Sequence, residues 1–382
     1  MIYFDNSATT VVDASVLDTY IQTTKRIIGN PSSLHFLGTQ ADRLLQQARG
    51  QIAELLNVED KEIYFTSGGT EGNNWVIKGT AIEKHPFGKH IIISDVEHSA
   101  VGKAAAQLET LGFEISRAPV DQKGRIKVDA LAALIRPETI LVSTMLVNNE
   151  VGAIQPIKEI GKVLESYPNI HFHVDAVQGL GKLPLQNWLT ARVDFATFSS
   201  HKFHGPKGVG FVFWRRGRKL APLLNGGGQE FGGRSGTENV PGITAMSKAV
   251  RLQLTDEEAK CHQQRQLQTY LIEALKTFDN VSLFTEPTDE YAPHIVCFGI
   301  NGIKGEVLVH AFEEKNILIS TTSACSSRSH VTGSTLHAMG VPGDIGTTAV
   351  RVSFSSHSTM SELEQFLVSF RHIYEKFSKV SR

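Results

Sequence analysis

Cysteine is scarce in this chain of 382 residues, with Cys261, Cys297 and Cys325 as its whole complement. An odd count at wide spacing excludes a disulfide framework and points to a reducing, cytosolic compartment. No apolar run approaches the length of a membrane span. The amino-terminal MIYFDNSATT lacks the basic stretch and apolar stretch of a secretory signal. Charge of one sign is lacking too: 38 Lys and Arg against 39 Asp and Glu leave a formal net charge of -1. Neither nucleic acid nor a membrane surface is therefore expected as the principal partner. Repeats and low-complexity segments are also missing. What remains is 41% hydrophobic and 20% charged, enough to bury a large core and long enough that two domains are expected.

The pattern along the chain is that of an α/β protein. A helical stretch from about Val11 to Gly29 is broken by GNPSSLH, after which ADRLLQQARGQIAELLNV repeats apolar residues at helical spacing. EIYFTSGGTEGNNWVIKGTA then reads as a short strand, a glycine turn and a helix, whose first amides form an anion site. HIIIS, FEISRAPV, TILVSTML, HFHVD, DFATFSS and VGFVFW are short β-branched or aromatic runs, several separated by helix-like segments. That alternation predicts a parallel-dominated sheet covered by helices, with its ligand site at the carboxyl ends of the strands. Near TDEEAKCHQQRQLQTYLIEALKTF the composition changes to a long charged amphipathic helix, which marks the boundary to a smaller α/β unit with an antiparallel sheet.

Chemistry concentrates in a few strings. Lys202 sits in SSHKFHGPKG, where hydroxyls, histidines and glycines let backbone and side-chain donors approach an anion closely. Asp175 ends the HFHVD run among apolar neighbours, where a carboxylate calls for a cationic partner or serves as a helix cap. A lysine amine, a buried acid and a phosphate cradle are the set that a pyridoxal phosphate enzyme uses. His98 in EHSAV titrates near neutrality and can act as acid or base. Arg351 in AVRVSF offers a planar fork suited to a carboxylate, or to an inter-domain ion pair. Cys325 lies in a Ser, Thr and Gly-rich stretch and is expected to be exposed, whereas Cys261 is on the charged helix and Cys297 sits in an apolar strand. His171 and His173 share a strand face, but no third and fourth ligand accompany them, so no metal site is expected.

Taken together, YFDNSATT, TSGGTEGNN, EHSAV, VNNEVG, HVDAVQ, SSHKFHGPKG, GGRSGTENV, SACSS and VRVSF run almost end to end in one order. In them the chain resembles the cysteine desulfurases of the NifS/IscS-like subgroup of the class V aminotransferases. The resemblance implies the type I fold of pyridoxal-phosphate-dependent transferases, with a mainly parallel seven-stranded sheet in a large domain and a smaller α/β carboxyl-terminal domain. It divides the chain into residues 13–255 and, for the small domain, 1–12 with 256–382. It makes Lys202 the covalent anchor of pyridoxal 5'-phosphate and a proton carrier, Asp175 the partner of the ring nitrogen, Gln178 a donor to the phenolate oxygen, and His98 the imidazole over the ring. Asn149 matches the asparagine beside the cofactor, with Asn148 as its competitor. Gly69, Thr70, Ser199 and His201 match the phosphate cradle. Thr237 corresponds to a phosphate donor that crosses from the other subunit of a homodimer, although a helix cap is an equally local use for it. Arg351, with Asn149, would bind the substrate.

The reaction so implied turns L-cysteine into L-alanine, with sulfur held as a persulfide on Cys325 and handed to an acceptor protein. Iron–sulfur cluster assembly and tRNA thiolation both stay open as destinations. A selenocysteine lyase or aminotransferase of the same fold, and a non-catalytic sulfur-assembly scaffold, are the rival readings. The chain departs from the pattern in SSRSHVTGSTLHAMG, which lacks a Leu-Glu-Pro string, in FSSHST after the VRVSF strand, and in ending without the carboxyl-terminal extension those relatives use.

Overall fold

A computed structural model describes residues 1–322 and 335–378. Its strands are β1 (Ile2–Tyr3), β2 (Ile63–Thr66), β3 (His90–Ser94), β4 (Glu114–Ala118), β5 (Thr139–Met145), β6 (His171–Asp175), β7 (Phe195–Ser199), β8 (Gly210–Trp214), β9 (Val281–Leu283), β10 (Ile295–Ile300), β11 (Ile317–Leu318), β12 (Ser320–Thr321) and β13 (Ala349–Ser353). The main sheet has seven strands in the order β2-β8-β7-β6-β5-β3-β4. β8 runs antiparallel to both of its neighbours, while β7, β6, β5, β3 and β4 pair in parallel. Because β2 and β7 are both antiparallel to β8, β2 points the same way as the parallel set. Every residue of β3, β5, β6 and β7 is buried, as expected for central strands covered on both faces.

Polar side chains inside those strands are matched in pairs. His173 of β6 lies 2.8 Å from Ser143 Oγ of β5 and 2.9 Å from Thr197 Oγ1 of β7. His171 meets Thr80 Oγ1 at 3.0 Å, so both imidazoles have hydroxyl partners. Among the described residues no group of three or more His, Cys, Asp or Glu could hold a metal ion.

Beyond the helix Glu257–Leu275, an antiparallel sheet of order β12-β13-β10-β9 forms with its own apolar core, in which Leu267, Leu271, Phe298, Val352, Phe366 and Phe370 pack together. Ile2 and Phe4 belong to this second core, and β1 pairs in parallel with β11. The amino-terminal strand therefore packs with the carboxyl-terminal part of the chain. No helix among the described residues is long and apolar enough to cross a membrane.

Parallel strands deliver their carboxyl ends to one edge of a sheet. Five of them do so here. β2 leads into the turn before Gly69, β3 into His98, β5 into Asn149, β6 into Asp175 and Gln178, and β7 into Lys202. Residues up to 133 positions apart in sequence are thereby brought to a single rim.

Candidate active site

Lys202 closes a single 3-10 turn, Ser200–Lys202, immediately after β7. Its Nζ donates to the carbonyl oxygens of Ser7 at 2.6 Å and Ala8 at 2.9 Å. The amino-terminal segment is in turn fastened to the lysine loop, since Thr10 N donates to His201 O at 2.8 Å and His204 N to Thr10 Oγ1 at 2.7 Å. Asp175 is buried at the end of β6. One of its oxygens accepts from Asn73 Nδ2 at 2.6 Å and the other from Val177 N at 3.1 Å. Turns rather than a helix follow it, so Asp175 does not cap a helix as the alternative reading allowed.

The helix Gly69–Lys84 starts behind Gly68, which has φ 149° and no side chain to cap the first-turn amides. A Cβ on Gly69 would stand 2.8 Å from Val177 Cγ2 and 3.5 Å from Ser199 Cβ. Only glycine leaves that gap between the helix start and Ser199, with the amides free to meet an anion. Thr70 is exposed and lines a cavity of about 250 Å³ together with Asn74, His98, Ser99 and Lys103. Ser199 is buried at the end of β7. His201 places Nδ1 3.1 Å from Thr9 Oγ1. Burial, with Lys202 and Lys207 nearby, pushes its pKa down to about 4, so the ring is neutral.

His98 is the N-cap of the helix Ser99–Glu109, accepting from Ala100 N at Nδ1 over 3.1 Å. The proton of the neutral ring therefore sits on Nε2. Burial lowers the pKa of this imidazole; the Asp175 charge opposes the shift and Lys202 adds to it. Asn148 and Asn149 separate cleanly. Asn148 spends its side chain on structure, accepting from Glu150 N and Val151 N and donating to Thr335 Oγ1 at 2.8 Å. Among the described residues Asn149 gives only its carbonyl oxygen, to Arg351 Nη1 at 2.7 Å, and its side-chain amide makes no hydrogen bond there.

Arg351 forms an ion pair with Asp5 at 2.8 Å and keeps a buried Nε without an acceptor among the described residues. Gln178 donates from Nε2 to Ser7 O at 2.9 Å, beside Lys202. Thr237 is exposed, outside the cluster built around Lys202. Cys325 lies outside the described residues. Cys261 and Cys297 are unsuited to act as thiolates: burial pushes the Cys261 thiol up to about 11, and raises that of Cys297, which is wholly enclosed in β10.

Three participants escaped the sequence reading. Asn73, which holds Asp175, is four residues beyond Gly69 on one helix face, a spacing that could have flagged it. Glu97, next to His98, accepts from Met145 N at 2.7 Å and from Ser94 Oγ. Burial pushes its pKa up to about 8, with Asp175 adding to the rise, so near pH 7 it stands as a neutral acid. Lys182 hydrogen-bonds Gln178 at 2.9 Å; nothing in its local string, GLGKLP, marks it.

The sequence matches the aminotransferase class-V family over residues 2–366. It is 52% identical over 381 residues to a NifS/IcsS protein homolog of Lactobacillus delbrueckii subsp. bulgaricus, covering 100% of this chain and 99% of that one. It is 41% identical over 381 residues to the cysteine desulfurase IscS of Methanosarcina thermophila, covering 100% and 93%. The structure superposes on that of a NifS-like protein with a TM-score of 0.91 at 36% identity, over 99% of each chain. The chain belongs to the class-V aminotransferases, among the NifS/IscS-like cysteine desulfurases.

Proposed function

We propose that this protein is a pyridoxal-phosphate-dependent cysteine desulfurase, a cytoplasmic homodimer that converts L-cysteine to L-alanine. Sulfur leaves as a persulfide on Cys325 and passes to an acceptor protein serving iron–sulfur assembly or tRNA thiolation. The observation that carries this reading is the convergence on one sheet edge of the Lys202 amine, the buried Asp175 carboxylate and the uncapped helix start at Gly69. These residues fit the cofactor. An amine suits its aldehyde, a carboxylate suits its ring nitrogen, and the gap that a Cβ would fill at Gly69 suits its phosphate.

Lys202 would hold the aldehyde and, once displaced by substrate, move a proton at the substrate Cα. Asp175, kept in place by Asn73, would keep the ring nitrogen protonated. Bound there, the cofactor supplies an electron sink for the carbanion at the substrate Cα. Gly69, Thr70, Ser199 and His201 would donate to the phosphate, joined across a two-fold axis by Thr237 of the second subunit. His98 would lie over the ring and Gln178 beside its phenolate oxygen. Arg351, with its spare buried Nε, and Asn149 would receive the substrate carboxylate. The Cys325 thiolate attacks the substrate sulfur, an S–S bond forms as the C–S bond breaks, and the electron pair of that bond stays on carbon, which takes up a proton. Cysteine and a thiol thus give alanine and a persulfide, with atoms and electrons balanced.

Residues 13–255 would form the cofactor-binding domain and residues 1–12 with 256–382 the small domain. The joining of Ile2 and Phe4 to the second apolar core supports that division. The test is direct. Protein reconstituted with pyridoxal phosphate is reduced with borohydride, and the label is mapped by peptide mass spectrometry; Cys325→Ser is then assayed for persulfide and alanine. Label on Lys202, with persulfide lost in Cys325→Ser, is the expected result. A colourless protein, or label elsewhere, overturns the reading.

A further inference from the structure

Lys182 is buried four residues beyond Gln178, and no part of the reaction described above uses it. Its Nζ donates to Gln178 Oε1 at 2.9 Å. Its charged neighbours Lys202 and Arg351 are cations, and burial followed by these two pushes its pKa down to about 7. A lysine with such surroundings is a poor choice for packing alone.

The same Gln178 oxygen has a second donor. His294 Nε2 stands 3.4 Å from it. Burial drives the His294 pKa far down, and its Nδ1 has no hydrogen-bond partner among the described residues, so the neutral ring carries its proton on Nε2. A glutamine amide has one acceptor end and one donor end. With two donors aimed at Oε1, the flipped amide would set N–H against N–H, and Nε2 is left to face Ser7 O at 2.9 Å. That carbonyl also accepts from Lys202 at 2.6 Å. The hydrogen bonds thus run from Lys182 through Gln178 and Ser7 to Lys202.

The geometry points to Lys182 as a positioning residue of the cofactor site, which locks the Gln178 amide with its donor end on the Ser7 carbonyl that also receives Lys202. The inference rests on the pyridoxal phosphate reading and deepens it: the amide meets the phenolate oxygen of the cofactor as a donor because Lys182 in its protonated form, together with His294, disfavours the other orientation.

Four variants test this: Lys182→Met, Lys182→Arg, Gln178→Met and the double Lys182→Met/Gln178→Met. Lys182→Met is expected to weaken cofactor retention about tenfold, the loss of roughly one well-oriented hydrogen bond. It should also shift the visible absorbance of the bound cofactor toward that of Gln178→Met. In the Gln178→Met background the lysine change should add nothing. Lys182→Arg, which keeps a donor for Oε1, should return the parental spectrum. Parental retention and spectrum in Lys182→Met, or full additivity in the double variant, overturns the inference. So does a Lys182→Met protein that fails to fold, because the lysine would then serve the fold and not the amide. Isotope-edited NMR of the Gln178 side-chain amide in the cofactor-free protein separates the two readings. Amide protons protected in the parent and released in Lys182→Met support the lock even if the parent takes up no cofactor, an outcome that would sink the proposed function alone.

Discussion

Replacing Arg49 by Met should be among the most damaging single changes outside the cofactor site. Arg49 and Glu230 form a bidentate pair at 2.8 and 2.9 Å, with side chains only 3% and 1% exposed. Glu230 also accepts from Phe65 N at 2.8 Å, and Arg49 donates to Ile63 O, so the pair is bolted to strand β2. The guanidinium lies between the rings of Phe65 and Phe231, 4.6 and 4.9 Å from their centroids. Glu230 and Phe231 have φ of 51° and 55°, left-handed backbone in two consecutive residues that have a Cβ. Each such residue costs about 1–2 kcal/mol, and the ion pair holds them there. Arg49→Met leaves a dry carboxylate with one amide donor, a loss of about 3–5 kcal/mol. Arg49→Met/Glu230→Leu removes the charge as well and leaves chiefly the Phe65 amide unmet, about 1–3 kcal/mol. The assay is urea unfolding of cofactor-free protein at one fixed concentration, because ligand and dimerisation add stability by mass action. The fluorescence of Trp75 and Trp214 reports locally, since a Cβ on Gly233 would lie 3.2 and 3.3 Å from these two rings. The double variant must unfold at a higher urea midpoint than Arg49→Met. An unfolding free energy for Arg49→Met within about 1 kcal/mol of the parent, or a double variant at least as damaged as the single, refutes the argument.

Gly210→Ala should disturb the cradle from behind. A Cβ there would lie 2.5 Å from Phe198 O and 2.7 Å from Gly68 Cα, both backbone atoms. The expected outcome is a loss of about 1–3 kcal/mol in thermal stability, accompanied by a lower cofactor content after dialysis. Acid should unfold the protein through its sheet histidines. Burial lowers His173 from 6.5 to about 3, so the folded state binds fewer protons than the unfolded state between those values. That stability is full above 6.5 and is lost as pH falls, by about 1.4 kcal/mol per pH unit, and His173→Gln should flatten the slope in a pH series of urea melts. Glu97 has the opposite sign. Raised from 4.5 to about 8, it contributes stability that is full below 4.5 and lost as pH rises toward 8. Glu97→Gln should remove that decline, and an unchanged slope in either variant contradicts the assigned burial.

The sheet was legible because its strands carry their burial in their composition. Runs such as TILVSTM and HIIIS suit a two-sided buried strand, and the intervening helical periods predict parallel crossovers. Once the strands are parallel, the carboxyl-end rule places residues 69, 98, 149, 175 and 202 on one rim before any distance is known. The rule names what lies at strand ends. It is silent on what reaches the rim from elsewhere in the fold. Lys202 is held by the carbonyls of Ser7 and Ala8, and a main-chain oxygen has no signature in sequence. Asp175 depends on Asn73, whose neighbour Asn74 is chemically identical and bonds instead to Thr70 O within its own helix. Gln178 was legible as a donor, but not the buried lysine that decides which end of its amide donates.

These omissions share a cause. Local composition reports whether a residue is buried, but a polar group is specified by its partner, and partners here come from a segment that crosses to the second core before touching the first site. Asp5 makes the point most sharply: it pairs with Arg351 of β13 and accepts from Ser320 of β12, while Ser7 and Ala8, two and three residues on, receive Lys202. Arg351 reads from sequence as a carboxylate fork or an inter-domain ion-pair partner; its ion pair is with Asp5, which falls in the same proposed small domain, and Nε has no acceptor among the described residues. A substrate carboxylate arriving there would therefore be felt by residues 5 to 8, and through their carbonyls by the amine itself. The amino-terminal turn thus joins the proposed substrate subsite to Lys202 by covalent backbone, with Ser7 standing two residues on from Asp5.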